Sequence, residues 1–481
     1  MKSFLFYDTE TSGFNHAFDQ ILAFAAIRTD LNLREIERHS ITIQLRKDVI
    51  PAIDAFLTHG LTFRELCKGF CEYDAAFQIH KLVNTPGTIS LGYNTLGFDD
   101  EFLRFLFYRN LLDPYTHQYS KGCSRADILP ITVIFRIFHP TGIKWPVLDG
   151  APSLKLEFIS RENKFKVSGH AHDAMSDVEA VIELCHKFMK EEAIWNYCLD
   201  FFNKTRDEVR INNINNTFSV EKKQFKLCLM VSASFGPESH YIAPVIDIGP
   251  SLQYKNQRLW MRLDQDNILG LDHGDDLEDT FVIRKRQADQ HIILPPLDRF
   301  WKKLNKQSLE VFKRNSAVLN ENQKRFFEFI EYHRQYKYAV IETLDPDAAL
   351  YQEGFFSRSE ELESKRFHAA LKNTLANKHG QIQSNEFENP RVKKLASRIL
   401  QRNFHDISMA SMDDEFEGHL KCLKKSDPQN PVVGYKNEGK LNLRQGMALI
   451  RQKEEDMALL GEREKRILSE VKNYLNELSF S

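Results

Sequence analysis

Hydrophobic positions along this chain switch between the two-residue period of strands and the longer period of helices, and those switches predict its elements. Phe4-Leu5-Phe6-Tyr7 is a short apolar run suited to a buried strand. Ile21 to Thr29 (ILAFAAIRT) predicts a second strand and residues 41–45 (ITIQL) an alternating third, so the chain opens as a hairpin or meander of a mixed sheet. Helical spacing covers residues 61–83 through Leu66, Phe70, Phe77 and Leu82. Thr88 to Asn94 predicts a strand that stops at a loop, and residues 101–112 (EFLRFLFYRNLL) a strongly apolar helix. The stretch Ser124–Phe138 is helix-like but interrupted by Pro130, and Ser153 to Ile159 opens a further short helix. Val178, Val181, Ile182, Cys185, Phe188 and Met189 mark one face of a helix running to Lys190.

After Tyr197 the pattern changes. Residues 203–218 (NKTRDEVRINNINNTF) are polar, asparagine-rich and linker-like. Short alternating runs follow at 227–231, 241–248, 258–263, 281–284 and 291–294, with Gly and Pro turns, which suggests a small antiparallel barrel or sandwich. From Glu360 onward the chain predicts helices. In residues 391–402, Val392, Leu395, Ile399 and Leu400 face inward, and Lys393, Lys394, Arg398 and Arg402 outward. The stretch Leu441–Leu478 is again apolar at helical spacing among many Lys and Glu, which suits a partner interaction or a coiled coil and, better, a layer closing over the N-terminal part.

Composition changes this outline little. A chain of 481 residues has room for two to four domains. Its net charge of −2 means that any polyanion must be held by local patches, not by the overall field. Basic and aromatic residues do interleave in the β region: Lys222, Lys223, Phe225 and Lys226; Trp260 and Arg262; Arg284, Lys285 and Arg286; Arg299, Phe300, Trp301, Lys302 and Lys303. Such a lining could track a phosphate backbone while rings stack on bases; the plainer reading is a solvated surface over a β core. Seven cysteines without a C-x-x-C pair argue against a zinc site or a disulfide framework and for a reducing compartment. The N-terminal apolar run is too short for a signal peptide, and no run is long enough to span a membrane, so cytoplasm is expected.

The candidate chemistry begins at Asp8 and Glu10. Residues two apart in a strand point the same way, so both carboxylates project together. Paired acids repel and are costly to bury unless a divalent cation lies between them; alone, the pair is better explained by a solvated turn, because such spacings are common. Asp99 and Asp100 stand at the start of the apolar helix, where one suits a helix cap and the other a metal. His172 and Asp177, five apart, sit about 140° apart around a helix and cannot share a face. They converge if His172 lies in the preceding loop, Asp173 is the N-cap and Asp177 points from the helix toward the site. His170 is the surface histidine in this scheme.

Asp8-x-Glu10, an Asp about ninety residues on, and His172 with Asp177 together resemble the DEDDh group of 3′→5′ exonucleases. Gly92-Tyr93-Asn94-x-x-x-Phe98-Asp99-Asp100-Glu101 and Ala171-His172-Asp173-Ala174-Met175-x-Asp177-Val178 look like the bacterial exodeoxyribonuclease I family within that group. So do Gly142-Ile143-Lys144-Trp145-Pro146 and Leu350-Tyr351-x-x-Gly354-Phe355-Phe356-Ser357. The match covers nearly the whole chain, densest before residue 180 and thin between 200 and 340.

The resemblance implies an α/β fold: an RNase H-like mixed-sheet exonuclease domain over 1–197, an SH3-like β barrel over 203–345 lining a DNA channel, and a C-terminal helical domain over 350–481. It makes Asp8, Glu10, Asp99 and Asp177 the ligands of two Mg²⁺ ions, with Mn²⁺ as a substitute, and His172 the general base. It places Glu10, Thr11, Ser12, Gly13 and Phe14 around the terminal nucleotide. The implied enzyme degrades single-stranded DNA from the 3′ end to nucleoside 5′-monophosphates, in DNA repair and recombination. The acidic tail of single-strand DNA-binding protein is its implied partner, and a monomer its expected state. The rivals are a DEDDh ribonuclease, which the 280 or so extra residues disfavour, and a non-catalytic single-strand binding module on the same fold.

Overall fold

The run Phe4–Tyr7 is the middle of a longer strand. β1 (Ser3–Thr11) carries Asp8 and Glu10 inside it and continues to a bulge between Glu10 and Thr11. In this computed structural model residues 2–480 are described, apart from 149, 170–172, 270–280, 377–380, 383–386, 405–406, 410–419, 421–422 and 424–431. On one side of β1 lie β2 (Ile21–Thr29) and β3 (Glu35–Thr42), antiparallel; on the other lie β4 (Thr88–Leu91) and β5 (Ser124–Arg125), parallel, in the order β3-β2-β1-β4-β5. The third strand begins at Glu35, earlier than its apolar residues suggest. It is an edge strand whose polar residues face solvent, which hides it from a hydrophobic reading.

Helices cover both faces of this sheet: α1 (Ile53–His59), α2 (Glu72–Val83), α3 (Asp99–Arg109), α4 (Ile128–Phe138), α5 (Leu156–Asn163) and α6 (Ala174–Phe188). Even-numbered residues of β1, Phe4 and Phe6, pack with Val178, Val181 and Phe188 of α6 and Phe135 of α4. Odd-numbered Leu5 and Tyr7 pack with Ile79 of α2 and Phe102 and Leu106 of α3. Each such side chain contributes roughly 1.5–3 kcal/mol on burial. Burial on both faces is why β1 starts as a continuous apolar run rather than an alternating one.

The expected helix over 61–83 is broken. A capping box at Thr62 starts the short helix Phe63–Leu66, and Phe70 then bridges to the 42–44 segment before α2 begins. Pro130 does not interrupt α4: it lies in the first turn, where no backbone N–H is needed.

Beyond α7 (Glu192–Leu199), the linker expected over 203–218 is instead α8 (Lys204–Asn212) and a strand. Asn203 caps α8 by accepting from the Arg206 N–H at 3.1 Å, and buried Asp207 pairs with Lys285 at 2.9 Å. A second, antiparallel sheet follows: β6 (Asn216–Val220), β7 (Lys223–Val231), β8 (Ile242–Pro250), β9 (Gln257–Arg262), β10 (Val282–Arg286) and β11 (Ile292–Leu294). Its order is β10-β9-β8-β7-β11, with β6 paired to the first half of β7. The 203–345 region is not purely β, because α9 (Lys306–Glu321) and α10 (Gln323–Gln335) cover one face through Leu319, Phe326 and Phe329. The interleaved basic–aromatic lining is also partly core. Trp260 is wholly buried, Phe300 is buried, and Lys285 is consumed by Asp207.

In the C-terminal region, α11 (Arg358–Ala376) and α12 (Pro390–Asn403) pack against Tyr73, Phe105 and Tyr108 of α2 and α3. α13 (Leu443–Glu455) and α14 (Glu462–Phe480) pack against Ile53 and Phe56 of α1, as a helical layer over the first sheet requires. Val392, Leu395, Ile399 and Leu400 are buried as expected. Arg398 and Arg402 are not outward: the side chains of both are enclosed in a charge network. Arg402 bonds Asp48 at 2.7 Å and Asp347 at 2.5 Å, and Arg398 bonds Asp345 at 2.6 Å. Arg46 joins Asp48 and Glu72, and Arg109 closes on Glu72 at 2.7 Å. The network ties the C-terminal helices to the first sheet.

Candidate active site

The faces of β1 dictate how acids from distant segments meet. Phe4, Phe6, Asp8 and Glu10 share the face that α6 crosses. Asp177 stands in the first turn of α6, and ligand oxygens of Asp8, Glu10 and Asp177 lie within 4.8 Å of one another. Asp173 caps α6, its carboxylate accepting from the Ser176 N–H at 3.3 Å and the Ser176 hydroxyl at 2.9 Å. That N-cap is where the sequence put it.

Asp99 arrives from the opposite side of the sheet, because α3 packs on the odd-numbered face. β4 ends at Leu91, opposite Phe6, so the rest of β1 has no strand on that side. The buried Asp99 carboxylate takes over there: Oδ1 accepts from the Thr9 N–H at 3.0 Å and from the Thr9 hydroxyl at 2.5 Å. Thr9, between the two β1 acids, is therefore the contact that draws Asp99 to them. Asp99 is adjacent to the triad of oxygens, not a member of it.

The electrostatics are those of acids crowded without cations. Burial, then Asp99, Glu10 and Asp177, hold the Asp8 carboxyl well above the usual range. Burial, then Asp177 and Asp99, push Glu10 up to about 9. Burial raises Asp99 to about 7, with the Thr9 hydrogen bond opposing it. Neither Asp8 nor Glu10 has an ion pair or side-chain hydrogen bond among the described residues. An all-oxygen donor set with such unrelieved repulsion fits a hard divalent cation.

The 11–14 loop leaves β1 beside this cluster. Thr11 donates to the Gly13 carbonyl at 2.8 Å. Ser12 is wholly buried and donates to Asp19 at 2.9 Å, so its hydroxyl shapes the loop. A side chain at Gly13 would collide with the Asp19 carboxylate. Phe14 is 73 % exposed and meets Phe98 edge-on at 6.2 Å. His172, the expected base, lies outside the described residues, as does His170.

The family model described as Exonuclease matches residues 5–185. Exodeoxyribonuclease I of Escherichia coli K12 is 36 % identical over 252 residues, 51 % of each chain. That of Buchnera aphidicola subsp. Schizaphis graminum is 34 % identical over 257 residues, 53 % of this chain and 52 % of the relative. These alignments thus span about half the length of the curated relatives. The crystal structure of E. coli exonuclease I in complex with a dT13 oligonucleotide superposes with a TM-score of 0.79 at 26 % identity, covering 99 % of this chain and 100 % of that one. Residues 5–185 thus match the Exonuclease family model, and the chain as a whole has the fold of E. coli exonuclease I.

The exodeoxyribonuclease I fold also explains residues the sequence left ambiguous. Asp100, next to Asp99, takes the structural part. It is fully buried between Arg104 at 2.7 Å, His117 at 2.9 Å and Arg125. Burial alone would raise its carboxyl, but Arg125 and Arg104 hold it far below the usual range. Asp100 thus anchors the start of α3 and leaves Asp99 for the cluster. The role of Thr9 is not legible in the sequence, because it depends on a residue 90 positions away. Glu101 is likewise held from the C-terminal region by the Tyr351 hydroxyl.

Proposed function

We propose that this protein is a 3′→5′ exonuclease that hydrolyses single-stranded DNA to nucleoside 5′-monophosphates. The observation that carries the proposal is the oxygen triad of Asp8, Glu10 and Asp177, with Asp99 hydrogen-bonded beside it. Asp8, Glu10, Asp99 and Asp177 would hold two divalent cations, Mg²⁺ with Mn²⁺ as a substitute. When bound, such a pair relieves charge on the attacked phosphate and stabilises the leaving 3′-oxygen. Thr9 keeps Asp99 in place. The Thr11–Phe14 loop borders the terminal nucleotide, and the exposed Phe14 ring offers its base an apolar face. His172 takes the proton of the attacking water, a role for which an imidazole is the usual side chain.

The single-stranded substrate is supported by the oligonucleotide complex of the E. coli relative. The regions 1–197, 203–345 and 350–481 act as nuclease domain, β domain and helical domain, the last two together walling a channel for one strand. The further assignments are a monomer in the cytoplasm, serving DNA repair and recombination and binding the acidic tail of single-strand DNA-binding protein. No helix among the described residues is long and apolar enough to cross a membrane.

The test is nucleotide release from a 3′-labelled strand with and without Mg²⁺. Asp8→Ala should lower release at least about a thousandfold while leaving strand binding in place. Normal cleavage by that variant would overturn the assignment, and strand binding with no cleavage by the unmutated protein would favour a binding module.

A further inference from the structure

The turn that delivers Asp99 is held by a residue from the second sheet. Residues 94–98 lead from β4 into α3, and Asn94 takes a left-handed backbone with φ 65°. The hub of the turn is the wholly buried Asp127, the N-cap of α4. Its Oδ1 accepts the Asn94 and Leu129 N–H groups, each at 2.9 Å, and its Oδ2 accepts the Leu96 N–H at 3.0 Å.

The remaining donor is Gln290, in the turn between β10 and β11. Its Nε2 lies 2.8 Å from Asp127 Oδ2 and 2.9 Å from Asn94 Oδ1. The turn that carries Gln290 is itself fixed: Asp289 accepts the Arg286 N–H at 2.8 Å and the His291 N–H at 3.0 Å, and Lys285 joins Asp289 to buried Asp207. Close approach is built in on the other side as well. A Cβ at Gly97 would stand 2.9 Å from Gln290 Oε1, close enough that the amide would have to shift.

We propose that Gln290 is a positioning residue for the nuclease site: through Asp127 and the 94–98 turn, the second sheet sets the Asp99 carboxylate against Thr9. This rests on the assignment of Asp99 to the cation site. Without Gln290, Asn94 Oδ1 has no donor among the described residues and Asp127 Oδ2 keeps one, so the turn relaxes at Asn94, five residues before α3 begins, and Asp99 moves with it. The β domain then contributes to the site even though it supplies none of the four acids.

The experiment uses the full-length protein with Gln290→Ala and, independently, Gly97→Ala, which displaces the amide without removing it. Folding is checked by thermal melting. In the metal-free protein, the Asn94 and Leu96 amides should exchange with deuterium about tenfold faster in both variants. Calorimetric Mn²⁺ affinity should weaken about tenfold, the lower end of what lost support around metal ligands costs. On a 3′-labelled strand kcat should fall by a similar factor with KM unchanged. Gln290→Glu, which faces an acceptor to the Asp127 carboxylate, should be worse than Gln290→Ala.

Wild-type exchange at Asn94 and Leu96 with unchanged Mn²⁺ affinity would overturn the positioning role, while loss of Mn²⁺ binding in Asp8→Ala and Asp99→Ala would leave the site itself standing. If those two variants bind Mn²⁺ and cleave normally, the site assignment fails and this inference goes with it.

Discussion

Two groups of enclosed carboxylates lie within one molecule and differ in what surrounds them. At the interface of the first sheet with the C-terminal helices, Asp48, Glu72, Asp345 and Asp347 each bond an arginine. There burial alone would raise Glu72, but Arg109 and Arg46 bring it down to about 2. At the end of β1 the same residue types stand against one another, and Glu10 goes up to about 9. Burial is common to both groups. The nearby cations decide whether buried acids hold the fold together or wait for a ligand.

The largest expected break in this comparison is on the paired side. Arg402→Met leaves Asp48 and Asp347 short of a cation and should destabilise the protein by about 3–5 kcal/mol, measured by denaturant unfolding. A loss under about 1 kcal/mol would mean that the network is not what holds the C-terminal helices.

The pH responses should run in opposite directions. Glu72 binds its proton less readily folded than unfolded, so its stabilisation is present above the ordinary glutamate range and is lost as pH falls toward about 2. Glu10 binds its proton more readily folded, so the metal-free protein should lose stability as pH rises from the ordinary glutamate range toward about 9. Mg²⁺ should remove the alkaline loss and leave the acid one. Melting curves from pH 3 to 9, with Mg²⁺ and with chelator, check both.

A smaller effect of opposite sign follows for Glu10→Gln. An amide there needs no proton uptake on folding, so the melting temperature of the metal-free protein should rise by about 2–4 °C while cleavage is lost. A lower melting temperature would place a hidden cationic partner beside Glu10. The smallest effect is expected for Thr9→Val, which keeps the N–H bond to Asp99 and loses the hydroxyl bond: about 1 kcal/mol of stability and a several-fold fall in cleavage.

What the sequence by itself determined is local. Period two placed Asp8 and Glu10 on one face of β1, helical spacing gave the buried face of α12, and Asp173 was legible as the N-cap of α6. Each of these follows from how a side chain leaves its own backbone, which needs no knowledge of a partner. Tertiary structure decided the rest. It brought Asp177 over one face of β1 and Asp99 around the other, and gave Asp100 to its arginines. It also turned Arg398 and Arg402 inward and made a helix of a stretch that looked like a linker. An arginine on a polar face is written identically whether it meets water or an aspartate 354 residues away. The charge of a residue is local, but its neutralisation belongs to the fold.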